Sequence, residues 1–98
     1  MVSSEGDRRA VRVRIQGSVQ GVGFRYWTER GATELGLGGW VRNCRDGSVE
    51  ALFSGPAQVV AEMLERCRDG PRSAHVTAVE IVEEGGRAHN AFEVLPTV

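Results

Sequence analysis

Residues 17–25 read GSVQGVGFR, a glycine-punctuated turn that delivers Arg25 into the opening turn of a helix. Exposed N–H groups already carry partial positive charge at such a point, and a cation placed there typically costs about 0.3–1 kcal/mol. An anion in the same space turns that conflict into complementarity. Gly21 and Gly23 permit backbone angles that aim successive N–H groups inward as a nest, the helix start adds further donors, and Arg25 contributes a planar fork matched to phosphate oxygens. Gln20, Gly21, Val22, Gly23, Phe24 and Arg25 are therefore the candidate phosphate-binding residues, acting through their amides and the one guanidinium. The same residues have plainer uses, since arginine near a helix start is often solvated surface and glycines often only turn the chain. The stretch is neither a Walker loop, having no GK[ST] ending, nor a completed GxGxxG.

The elements that must position this turn follow from periodicity. Val11, Val13 and Ile15 alternate with Arg12, Arg14 and Gln16, the period-two pattern of a half-buried first strand over 10–16. In FRYWTERGATELG, the residues Phe24, Trp27, Thr28, Gly31 and Leu35 share a helical face; Gly31 weakens that helix by roughly 1 kcal/mol relative to alanine, and Gly36 is a suitable left-handed stop. GWVRNC (39–44) and SVEALFS (48–54) form two strands joined at Asp46-Gly47, a dipeptide that hairpins favour. Gly55-Pro56 is expected to break the strand and open a second helix, in which Val60, Met63, Leu64 and Cys67 make a core-facing stripe over 57–69. Residues 74–83 supply a fourth strand and AFEVL a short last one. The order βαββαβ plus a terminal strand predicts an α+β, ferredoxin-like sandwich, with two helices on one face of a mostly antiparallel sheet. Residues 1–9 are expected to be a flexible tail, and 10–98 a single domain.

In this topology the first two strands run parallel, so their carboxyl ends lie at the same end of the sheet. The glycine turn follows the first strand, and Asn43 lies near the end of the second. If the third strand runs between them, about 10 Å separates the two strand axes, a gap that an arginine, an asparagine and a phosphate could fill together. Asn43 beside a turn is otherwise most often a turn-former.

Composition narrows the alternatives. The 98 residues suit one domain, and 41% apolar with 26% charged residues is ordinary for a soluble globular chain. A formal net charge of −1 gives no basic field that would gather nucleic acid or anionic membrane. All twelve basic side chains are arginines, which removes a P-loop lysine and lysine Schiff-base chemistry. No apolar run is long enough to span a bilayer, so a cytoplasmic location is expected. Cys44 and Cys67 make no CxxC pair and read as reduced thiols.

GSVQGVGFR, LGLGGWVRN, DGSVE and the Gly-Pro before the fourth strand closely resemble the acylphosphatase family in content, order and spacing, from about Val11 to Leu95. The resemblance implies a small hydrolase, without metal or cofactor, that splits a small-molecule acyl phosphate into carboxylate and inorganic phosphate. It places the family's phosphate-binding arginine on Arg25 and its water-positioning asparagine on Asn43. Inorganic phosphate or sulfate is expected to fit the site, and a monomer is the expected state.

The chemistry agrees with so sparse a site. The leaving carboxylate has a conjugate acid near pKa 4.3 and departs without a proton from a general acid. A loose, in-line transition state at phosphorus asks little of a base. His75 and His89 raise a remote phosphohistidine alternative, and the dispersed Glu29, Glu34, Asp46 and Glu50 read as solvated positions and not as metal ligands. An RNA-binding sheet of the same topology would present aromatic residues on its central strands. Here those positions carry Arg12, Arg14, Gln16 and Glu50.

Overall fold

Alternating apolar and charged residues give the first strand one face for the core and one for water. A computed structural model describes residues 7–98 and shows the consequence: β1 (Arg8–Ser18) buries Val11, Val13 and Ile15 completely, beneath α1 (Phe24–Glu34) and α2 (Ala57–Asp69). The other strands are β2 (Gly38–Asn43), β3 (Val49–Pro56), β4 (His75–Glu84) and β5 (Phe92–Val94). They form one sheet in the order β4-β1-β3-β2-β5. β3 pairs antiparallel with both β1 and β2, so those two run parallel with β3 between them, as the topology required. β5 adds in parallel to the outer edge of β2. This is the expected ferredoxin-like α+β arrangement.

The helices meet the sheet through the stripes their sequences predict, with one addition. Val60, Met63 and Cys67 of α2 are buried, while Leu64 is only half-buried. In α1 the buried residues are Phe24, Thr28 and Ala32; Ala32 lies one turn beyond Thr28 and was absent from the predicted stripe. Each large apolar side chain enclosed here contributes about 1.5–3 kcal/mol. Gly31 has a packing reason for its low helix propensity, because a Cβ there would lie 3.3 Å from Met63 Cε on the neighbouring helix.

Two boundaries differ from expectation. Of the anticipated tail, residues 1–6 lie outside the described residues, but Arg8 and Arg9 belong to β1, where they pair with Pro56 and Gly55. Arg9 also donates from Nη2 to Glu84 at 2.7 Å, which ties the start of β1 to the end of β4. For the same reason Gly55-Pro56 does not break β3; the pairing carries the strand to Pro56, which then caps α2.

The face of the sheet away from the helices carries charge. Glu50, expected at a solvated position, is instead only 5% exposed, because it accepts hydrogen bonds from Arg12 Nη1 and, at 2.9 Å, from Arg42 Nε. Burial pushes the Glu50 carboxyl up, but these two guanidinium partners outweigh it and hold it below the ordinary carboxylate range. Gln16 donates to Glu80 at 3.0 Å, and the Arg42 guanidinium sits 4.6 Å from the centroid of the Trp40 ring. Of the strand positions that would carry stacking aromatics in an RNA-binding sheet, Arg12 and Glu50 are thus committed to a cross-strand ion pair and Gln16 to a cross-strand hydrogen bond.

Candidate active site

The turn between β1 and α1 takes its shape from its glycines. Gly21 and Gly23 have φ of +74° and +78°, the left-handed region that side chains with a Cβ enter only at a cost. Gly23 is the N-cap of α1, and no side chain caps the helix. The first bond of the helical ladder runs from the Trp27 N–H to the Gly23 carbonyl at 3.0 Å. The N–H groups of Phe24, Arg25 and Tyr26 therefore precede the ladder, and no acidic residue occupies the first turn to neutralise them. The Phe24 ring, 1% exposed, packs 5.3 Å from the Trp27 ring and anchors the helix start in the core.

Asn43 ends β2 opposite Val49 of β3, two residues beyond the buried Val41 and so on the helix-covered face. Its carbonyl accepts a hydrogen bond from the Val98 N–H at 3.1 Å, so its backbone is held from both sides. The turn that follows is set by Asp46, whose Oδ1 accepts from the Ser48 N–H at 2.9 Å and from the Ser48 hydroxyl at 2.6 Å. Those two bonds, the hydroxyl's first, hold the Asp46 carboxyl below its usual range.

A cavity of about 100 Å³ opens where the two segments meet, lined by Val19, Gly21, Gly23, Phe24, Arg25, Tyr26 and Asn43. Of the residues predicted from sequence, Gly21, Gly23, Phe24, Arg25 and Asn43 share this lining. Gln20 and Val22 do not. The Gln20 carboxamide turns toward the β2–β3 turn, donating from Nε2 to the carbonyls of Cys44 and Ser48 at 2.7 and 2.8 Å, and Val22 packs against the core. Sequence reasoning missed Val19 and Tyr26. Val19 is buried and follows a strand, which gave no functional signal; Tyr26 is 66% exposed, and an aromatic beside Arg25 in a helix's first turn was the available clue.

His75 and His89 are not among the lining residues. Among the described residues no group of three or more His, Cys, Asp or Glu side chains is arranged to hold a metal ion. Both cysteines are free, and burial pushes the Cys67 thiol up to about 12. No helix of the described residues is long and apolar enough to cross a membrane.

The family model for acylphosphatase matches residues 11–94. The chain belongs to the acylphosphatase family. A relative from Nitrobacter hamburgensis named acylphosphatase is 57% identical over 93 residues, spanning 89% of this chain and 94% of the relative. Among solved structures, an acylphosphatase from Coxiella burnetii superposes with a TM-score of 0.87 at 33% identity, covering 97% of this chain and all of that one. The acylphosphatase from Bacillus subtilis gives 0.82, also at 33% identity, over 90% of this chain and 98% of its own. Membership makes the chain a hydrolase of the acylphosphatase type, and the two structures carry the family's sheet and helices in the same arrangement.

Proposed function

We propose that this protein hydrolyses acyl phosphates without a metal ion, with Arg25 and the amides of Gly21, Gly23 and the start of α1 holding the phosphoryl group and Asn43 orienting the attacking water. The observation that carries the reading is the shared lining of one small cavity by Arg25, Asn43 and a helix start with no acidic residue in its first turn. A phosphoryl dianion in that cavity meets backbone donors and a guanidinium at once, and the Asn43 carboxamide supplies both a donor and an acceptor for water. The departing group is a carboxylate with a conjugate-acid pKa near 4.3, so no residue needs to protonate it. The proton of the attacking water passes to a phosphoryl oxygen of the substrate itself. Positioning and charge stabilisation then account for the acceleration.

The test is hydrolysis of benzoyl phosphate in the presence of a chelator, run beside a phosphomonoester whose alkoxide leaving group does need protonation. Cleavage of benzoyl phosphate alone, unchanged by the chelator, is the expected result. Loss of activity on chelation, or equal cleavage of the monoester, overturns the mechanism.

A further inference from the structure

We infer that Gln20 is a positioning residue, whose carboxamide locks the phosphate-binding turn in register with the hairpin arm that carries Asn43. The inference rests on the functional reading above and assigns Gln20 a role distinct from its expected one as a phosphate ligand.

Gln20 immediately precedes Gly21, and its side chain leaves the cavity lining to cross to the other arm of the site. Both carboxamide hydrogens are used, one on the Cys44 carbonyl at 2.7 Å and one on the Ser48 carbonyl at 2.8 Å. Two acceptors facing one group require the NH₂ end there, because the oxygen end would meet them with repulsion. Cys44 is the residue directly after Asn43, so the tie joins the neighbour of one functional segment to the neighbour of the other. Among the described residues no other side-chain hydrogen bond spans the 19–23 turn and the 44–48 turn. At the far end of the glycine turn, the buried Phe24 ring makes the second anchor. Between these two fixed points lie Gly21 and Gly23, whose backbones are otherwise free to sample many states.

The same geometry separates a positioning role from a merely structural one. The Cys44 carbonyl also accepts from the Gly47 N–H at 3.1 Å, and the Ser48 carbonyl from the Cys44 N–H at 2.9 Å. Each acceptor thus keeps a partner when Gln20 is truncated, and the hairpin survives. What is lost is the link between the arms, and a displacement of about 1 Å in a reacting group can lower turnover about 100-fold.

The experiment compares wild type with Gln20→Ala and Gln20→Glu, well below their unfolding midpoints. In Gln20→Ala, kcat/KM for benzoyl phosphate should fall about 10- to 100-fold, inhibition by inorganic phosphate should weaken, and amide exchange at Gly21 and Gly23 should speed up. The carboxylate introduced by Gln20→Glu has no hydrogen to donate until it is protonated, so this variant should regain activity relative to wild type as pH falls toward and below about 4.3. Gln20→Ala kinetics within about two-fold of wild type, or Gly21 and Gly23 exchange left unchanged, overturns the inference. A wild type that turns over no benzoyl phosphate overturns the functional reading instead, and amide exchange still decides the tie.

Discussion

Arg25, in the first turn of α1, and Asn43, the last residue of β2, line the same cavity of about 100 Å³ although a helix and a strand separate them along the chain. The arrangement exists because β3 lies between β1 and β2 and pairs antiparallel with each, which brings the carboxyl ends of β1 and β2 to the same end of the sheet. Arg25, Asn43 and the start of α1 thereby border a common volume.

Removing the guanidinium should abolish binding and turnover together. Arg25→Ala is expected to lower kcat/KM by about 10²- to 10³-fold or more and to eliminate competitive inhibition by inorganic phosphate. Arg25→Lys should restore little, because an ammonium cannot reproduce two parallel bonds to phosphate oxygens. Steady-state kinetics with phosphate titration checks both.

Asn43→Ala should divide the two functions. Turnover is expected to fall about 100-fold, while the inhibition constant for inorganic phosphate stays within about three-fold of wild type, since the anion's donors remain. Normal turnover in this variant would remove the water-orienting role.

The two charged arms around Glu50 predict an acid-sensitive stability. Its carboxyl is lowered in the folded state, so its contribution is present above the unfolded value of 4.5 and is lost as pH falls through the lowered folded value. Glu50→Gln leaves Arg12 and Arg42 facing each other without their shared partner. It should cost about 1–3 kcal/mol near neutrality, the partial exposure of both arginines keeping the figure below that of a fully buried pair. Urea denaturation of both proteins between about pH 7 and pH 3 should show the gap closing on acidification.

Glycine replacements should separate space from backbone angle. A Cβ on Gly39 would stand 1.8 Å from the Leu52 carbonyl oxygen at φ +134°, so Gly39→Ala should cost about 4 kcal/mol or more or leave no folded protein. Gly21→Ala meets no atom within 4 Å and carries only the left-handed penalty, about 1–2 kcal/mol. Thermal and urea unfolding distinguish the two.

The thiols should react unequally. Cys67 is fully buried, with its pKa pushed up to about 12, whereas Cys44 is half-buried near the site. A thiol reagent at neutral pH should modify Cys44 while the protein is folded and reach Cys67 only in denaturant.

Much of this molecule is legible along the chain because its signals are local. Arginines alternating with Val11, Val13 and Ile15 mark a strand with one wet face, Val60, Met63 and Cys67 mark the inner stripe of α2, and Asp46-Gly47 marks the hairpin. The glycine turn ending at Arg25, and Asn43 as the second candidate, are equally local features. Residue order alone therefore specifies the list of elements and of candidate groups. The relations among them belong to the assembled fold: Arg8 and Arg9 join β1 because Pro56, Gly55 and Glu84 lie beside them, Gly31 is small because Met63 packs against it, and Gln20 turns from the cavity because two carbonyls of a distant turn accept its hydrogens. Periodicity reports which side of its own element a residue occupies, but hydrogen bonds and ion pairs between elements depend on through-space distances that only the assembled sheet creates.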